Sequence, residues 1–416
     1  MLQRPLRILA PTRYPWRFNG PRQSRHRIEN RNFLPLNWVH QGIEGITAFN
    51  PWPLRRFDLV HAFNRIPLGN APFLIGFESH MPRGFGLETS RYYSLLSRML
   101  ASSRCRGIIA ISEYARKIFE ETHKNSPLRD ILYGKLSVRY PNIELPAEPA
   151  QPEPVGPAPF VVSFVGNHFA RKGGCVAVRL AELALQKKLP VQVEIVSSLQ
   201  VGRGVWTDPL NDHFYDRFRA ALKLPNVRWH ATLSNVEVHD LFRRSHVSLL
   251  ATFCDTFGYS AIESMIHGTP VVGTRQGALP EFIAHRHNGL LLDLDTTPNG
   301  EWAHIAHPDR GSRAYEGLVE GEIERMARAA IREIERLIEQ PDELYDMRRR
   351  ARSDAERLFG AQEANAYWDN LYEFALTAAR SMKSDSGSTS ANRSARDGGL
   401  ADAGAEQASR GRCPSP

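Results

Sequence analysis

Two runs of short apolar strands alternating with amphipathic helical stretches, separated by a proline-rich segment, predict an α/β protein of two units. Each unit is expected to rest on a mostly parallel sheet. The length agrees, because 416 residues leave room for two cores of ordinary size. In the first run, residues 7–10 read as a strand bounded by Pro5 and Pro11, and 58–62 and 73–77 as buried strands. Tyr92, Leu95, Leu96 and Met99 make a helical face over 90–100. Residues 107–111 are a further strand, Ser112-Glu113 caps a helix running towards Glu121, and 136–140 is a strand ending at Pro141-Asn142.

Residues 146–159, PAEPAQPEPVGPAP, cannot be helix or inner strand, because each proline removes a donor and fixes φ; they read as a linker. The second run then begins: strand 160–165, helix 175–187, strand 191–196, a short strand at 226–229, helix 237–245 and strand 246–250. Residues 203–222 are less regular. Residues 296–313 are polar with Pro and Gly, and read as an insertion or mobile loop. A long helix over 320–340 buries Ile323, Met326, Ile331, Ile334 and Ile338, and another amphipathic helix covers 367–378. After about Met382 the composition turns to Ser, Gly, Ala and Asp without apolar period, the pattern of a disordered tail. The expected divisions are 1–145, the linker 146–159, 160–360, a helix in 361–381 and a tail 382–416.

Composition narrows the class. Hydrophobic residues at 42% and charged ones at 24% are those of an ordinary globular protein, and no apolar run reaches the roughly 18 residues of a membrane span. Cys105, Cys175, Cys254 and Cys413 are scattered without metal-ligand spacing, so no metal site or disulfide framework is expected, and a cytoplasmic setting is. The net charge of +8 and pI of 9.4 suit phosphate-bearing substrates, anionic lipid or nucleic acid. Eight arginines between Arg4 and Arg31 leave room for peripheral contact with a membrane face. No nucleic-acid-binding motif accompanies the charge, which sets that partner aside.

The chemistry concentrates in residues 251–281, ATFCDTFGYSAIESMIHGTPVVGTRQGALPE. A short helix over 260–267, with Ser260 as N-cap and Gly268 as its end, leads to a buried strand at 270–272, a glycine loop at 273–277 and a helix start at Pro280-Glu281. Asp255, Glu263 and Glu281 stand around the gap between the two helix starts. Carboxylates repel phosphates but accept from hydroxyls, as an acid does for ribose in dinucleotide folds. The backbone around Phe257, Gly258 and Tyr259 offers N–H donors. Ser260-x-x-Glu263 is equally a capping box, in which Glu263 would merely bond back to its own helix. In GNHFARKGG, between strand 160–165 and its helix, the backbone and Lys172 face the carboxyl edge of the sheet, where α/β proteins bind ligands.

The string of an acid, FG, a second acid eight positions on, HGTPVVG, a glycine loop and PE resembles the signature of the family 4 glycosyltransferases, with Asp255 where that family has its first Glu and Glu263 at its second. GIIAISEYARKIF, VRYPNIEL and FESHMP resemble pieces of the same family's other unit. The resemblance is good over 160–292, fair over 107–142 and poor before residue 58. It implies a GT-B fold, with two Rossmann-like units facing each other across a cleft, 1–145 on the acceptor side and 160–360 on the donor side, and with the helix of 361–381 crossing back to the first unit. It also implies a retaining, metal-independent, hexosyltransferase-type transfer from a UDP- or GDP-sugar to a carbohydrate or lipid-linked acceptor, in polysaccharide or glycolipid synthesis, with no cofactor beyond the substrates.

By resemblance Asp255 and His80 would serve the reacting sugar and Glu263 the ribose. Lys172 and Gly166 would hold the diphosphate, with Arg171 compensating for Asn167, which stands where the family carries Arg. Phe257, Gly258 and Tyr259 would hold the donor through their backbone, and Glu281 and Gly277 would support the glycine loop. A binding protein of the same fold without catalysis is the alternative that Asn167 favours.

Overall fold

In the first half of the chain the strands are Arg7–Pro11 (β1), Arg27–Arg31 (β2), Phe33–Pro35 (β3), Ile46–Phe49 (β4), Leu59–Phe63 (β5), Ile66–Pro67 (β6), Phe73–Phe77 (β7), Cys105–Ala110 (β8) and Leu136–Val138 (β9). The computed structural model describes residues 4–12, 14–38, 43–49, 56–146, 159–305 and 307–391, with side chains through 377. Strands β2-β1-β5-β7-β8-β9 form a six-stranded sheet whose neighbours all run parallel. Helices Arg91–Ala101 (α1), Glu113–His123 (α2) and Arg129–Tyr133 (α3) connect its later strands. Ser90 and Ser112 cap α1 and α2 through hydrogen bonds from the N–H groups of Tyr93 and Ala115. The side sheet β3-β4-β6 was not expected, because its strands are too short to show a period of two.

The second half repeats the plan. Strands Phe160–Val165 (β10), Val191–Val196 (β11), Val227–His230 (β12), Val247–Leu250 (β13), Val271–Thr274 (β14) and Gly289–Leu292 (β15) make a parallel sheet of order β12-β11-β10-β13-β14-β15. Strands β13, β14 and β15 are buried at every position, and apart from Ser248 and Thr274 their residues are apolar or glycine. Its helices are Gly174–Gln186 (α4), Asp216–Ala221 (α5), Asn235–Arg244 (α6), Tyr259–Met265 (α7), Leu279–Phe282 (α8), Arg313–Glu339 (α9), Pro341–Phe359 (α10) and Ala361–Ala391 (α11).

Four corrections to the sequence reading follow. Helix α7 starts at Tyr259, with Gly258 at its N-cap in the left-handed region (φ 87°), so Ser260 is not the cap and the capping-box reading of Glu263 falls. The segment after β15 is anchored: Trp302 is fully buried, 4.8 Å from the Phe253 ring, and Thr296 and Trp302 form a bridge. Helix α10 was not foreseen. Ten residues of the expected tail, 382–391, continue α11 as helix, while 392–416 and most of the expected linker, 147–158, lie outside the described residues.

The halves share apolar packing. Ile111, Tyr114, Ile118 and Ile143 from the first join Phe257, Leu279, Phe282 and Phe359 from the second in one cluster. Helix α11 returns to the first sheet, where Ala364, Trp368, Tyr372 and Ala375 cover Leu6, Ile8, Leu59, Leu74 and Ile109. In each sheet a strand has neighbours reached from opposite directions, β1 between β2 and β5 and β10 between β11 and β13. Loops leaving such switch points are where open α/β sheets hold ligands.

Candidate functional site

Both switch-point loops open into one cleft of about 940 Å³ between the two halves. Its walls come from segments that follow strands: Thr12 to Arg22 after β1, Glu78 after β7, Gly166 to Lys172 after β10, Gln200 after β11, Asn235 and His239 after β12, and Cys254 to Glu263 after β13.

The loop after β10 is shaped for its lysine. A Cβ on Gly166 would lie 2.7 Å from the Lys172 side chain, so glycine lets that chain pass. Gly173 (φ 96°) sits against the Ala251 carbonyl, where a Cβ would come within 2.4 Å. Lys172 Nζ reaches Asp255 Oδ2 at 3.0 Å, and both side chains are largely buried. Burial pushes the Asp255 carboxyl up, but Lys172 and Arg171 beside it outweigh this and hold it below the usual carboxylate value. Asp255 Oδ1 accepts from the Gly258 N–H at 3.2 Å. The glycine loop holds the same residue from behind. The Gln276 amide donates to the Asp255 carbonyl at 3.3 Å, and Gly277 (φ 57°) lies where a Cβ would meet that carbonyl at 2.3 Å. Arg171 also lines the cleft, with its guanidinium bonded to the Cys254 carbonyl and its own carbonyl accepting from Phe253 N–H at 2.8 Å.

Glu263 faces the cleft from α7. Burial raises its carboxyl to about 7, against the opposing pull of Lys172 and Arg22. Among the described residues it makes no hydrogen bond, which suits an acceptor kept for a ligand hydroxyl.

The other expected residues divide. Tyr259 lines the cleft, and its hydroxyl accepts from Asn19 Nδ2 at 2.9 Å. Phe257 is wholly buried, its ring stacked at 5.3 Å on Phe282, and the backbone N–H groups of Phe257 and Gly258 both serve the Asp255 carboxylate. Asn167 is exposed and accepts from Ser198 Oγ at 3.2 Å. His80 stands outside the cleft lining, its ring 5.4 Å from Phe85; two residues earlier, in the loop that follows β7, Glu78 forms that wall. Glu281 acts between the halves rather than on the glycine loop: its oxygens accept from the N–H groups of Glu113 (2.9 Å) and Tyr114 (2.6 Å) at the start of α2.

Sequence reasoning missed the first loop, which supplies Tyr14, Arg17, Phe18 and Arg22. Its shape is imposed from 120 residues downstream. Asn142 donates to the carbonyls of Phe18 (3.1 Å) and Gly20 (2.9 Å) and accepts from Arg22 Nε at 3.1 Å. The Pro141-Asn142 pair was the only local signal. Glu78, His168, Asn235 and His239 had none.

Two parallel sheets with their carboxyl ends facing across a shared cleft, and a last helix returning to the first sheet, define the GT-B class of protein. Within it, residues 159–304 match the family described as glycosyl transferases group 1. Over 270 residues the chain is 25% identical to a D-inositol 3-phosphate glycosyltransferase of Pseudarthrobacter chlorophenolicus, covering 62% of this chain and 57% of that protein. Over 90 residues it is 34% identical to the N-acetyl-alpha-D-glucosaminyl L-malate synthase of Bacillus anthracis, covering 20% and 24%. The chain thus aligns with little more than half the length of the first relative and a quarter of the second. Among solved structures, HepE of Anabaena in complex with UDP superposes with a TM-score of 0.54 at 13% identity, covering 88% of this chain and 98% of that one, a likeness of fold.

Proposed function

We propose that this chain is a retaining glycosyltransferase that moves a hexosyl unit from a UDP- or GDP-sugar to a hydroxyl of a carbohydrate or lipid-linked acceptor. The observation that carries the reading is the Lys172–Asp255 pair beside Glu263, at the switch point of the second sheet. In this reading Lys172 and Arg171 face the diphosphate. Breaking the anomeric C–O bond leaves negative charge on the departing phosphate, and two cations on a largely buried wall stabilise it. The anomeric carbon turns oxocarbenium-like as the bond lengthens. Asp255, kept ionised by its neighbours, accepts from hydroxyls of the donor sugar, and Glu263 from those of the ribose. Glu78 and the first loop, Tyr14 to Arg22, form the wall from which the acceptor approaches. No step in this scheme needs a metal. The arginine-rich first segment gives the protein an electrostatic route to anionic lipid, checked by salt-sensitive binding to anionic vesicles.

Calorimetric titration of UDP, GDP and ADP into the wild type and Glu263→Ala tests the donor site. One nucleotide is expected to bind the wild type and to lose roughly 1–3 kcal/mol in the variant. Binding of none to the wild type overturns the reading. Sugar transfer or donor hydrolysis by the purified protein separates an enzyme from a binding protein of the same fold.

A further inference from the structure

Helix α7 runs along the cleft as a ruler. Asp255 and Lys172 stand at its start and Glu263 one turn in. His267 follows four residues later, in the turn that ends the helix after Met265. A nucleoside diphosphate presents its parts in the same order: diphosphate, ribose, base. With Lys172 on the first and Glu263 on the second, the base extends towards the turn that carries His267.

What stands there is a pair of histidines. His239, on α6, lines the cleft one helical turn after Asn235, which also lines it. Its Nδ1 lies 2.8 Å from Nε2 of His267. Both rings are neutral at pH 7. Burial, then Arg243, holds His239 below its ordinary value. Burial, then the neighbouring His239, Arg243 and Arg352, brings His267 down to about 4. Each ring therefore carries one proton, and one ring must donate to the other.

The direction follows from the far side of His267. That residue is 3% exposed, and its Nδ1 is buried without a hydrogen-bond partner. Were His239 the donor, the His267 proton would sit on that Nδ1 as a buried, unpaired N–H, the costlier kind of orphan. With His267 donating from Nε2, its Nδ1 is a bare acceptor, and His239 accepts at Nδ1. The proton of His239 is then on Nε2, the ring edge turned away from His267.

We propose that His239 reads the nucleobase, its Nε2–H donating to a keto oxygen, and that His267 positions it by fixing the tautomer. The cleft then takes a keto base, uracil or guanine, and rejects adenine, whose amino group would set donor against donor. This rests on the donor site proposed above.

The test is calorimetric titration of UDP, GDP and ADP into the wild type, His239→Phe and His239→Gln. UDP or GDP should bind the wild type at least about tenfold tighter than ADP. His239→Phe should remove that margin by weakening the keto nucleotide alone, and His239→Gln, which can donate from its amide, should restore part of it. Nitrogen NMR should show His239 as the Nε2–H tautomer, and a mixture of tautomers in His267→Phe. Equal or tighter ADP binding, or an unchanged margin in His239→Phe, overturns the inference and leaves the donor site standing. Failure of every nucleotide to bind the wild type overturns both.

Discussion

Glu263 and Asp255 are two carboxylates on one wall with opposite electrostatic histories. Asp255 has Lys172 at 3.0 Å and is held down, whereas Glu263 is left to its burial and raised to about 7. The sign of the consequence for stability follows. The unfolded chain releases the Glu263 proton near 4.3, while the folded chain keeps it up to about 7. The stabilisation is therefore complete below the unfolded value and is lost as pH rises through the folded one. Glu263→Gln carries no such proton. Its melting temperature should match the wild type at pH 4 and exceed it at pH 8 by on the order of a few degrees. A difference that does not change with pH would show that Glu263 is not buried as described. At this scale legibility was uneven. Lys172, Asp255 and Glu263 were readable because a glycine context and a fixed spacing surround them. His80 stands outside the cleft lining, since a strand end says which residues emerge but not which way each one faces. Glu78 reaches that wall from the loop after β7, where no strand period applies.

Helix α2 shows how far an element can be read from its own residues. Three of its early N–H groups find partners: Ala115 donates to Ser112 Oγ, and Glu113 and Tyr114 to Glu281. The serine cap was legible because it lies next to the helix, whereas the carboxylate comes from a residue some 168 positions away. Ser112→Ala should cost about 1 kcal/mol of unfolding free energy, a typical N-cap loss. Glu281→Ala should cost more, about 2 kcal/mol, because two donors at the junction of the halves lose a charged acceptor together. Denaturant titration of both variants checks the order, and a Glu281 effect smaller than that of Ser112 would deny the bridge its weight. Helix α10 failed the opposite way. Leu344, Met347, Ala351, Ala355 and Phe359 do recur at helical spacing, but Arg348 and Arg352 are buried on the same side and made the stretch look solvated. Arg348 is tolerated there because its guanidinium bonds the Ser245 carbonyl.

For the whole molecule, the feature that ties the chain's end to its beginning is α11. It lies on the first sheet, with Trp368 only 1% exposed and packed at 4.5 Å on the His61 ring, while the Tyr372 hydroxyl meets His61 Nδ1 at 2.8 Å. His61 is buried completely, and that burial pushes it down to about 3, so it stays neutral and able to share this bond. The loop that walls the cleft is fastened to the same helix. Ser24 Oγ donates to Asp369 at 2.5 Å, and the Arg22 N–H to Asn365 at 2.7 Å. Helix α11 therefore supports both the first core and the wall that the first half gives to the cleft. Trp368→Ala should cost about 3–5 kcal/mol, the usual range for emptying a large buried aromatic site. It should also loosen residues 14–26, read as faster amide exchange there than in the loop 166–173 of the second half. Equal exchange in the two loops would mean that the first loop is held by Asn142 alone. Faster exchange confined to 14–26 would make α11 the support through which the chain's last helix shapes its first ligand-facing loop.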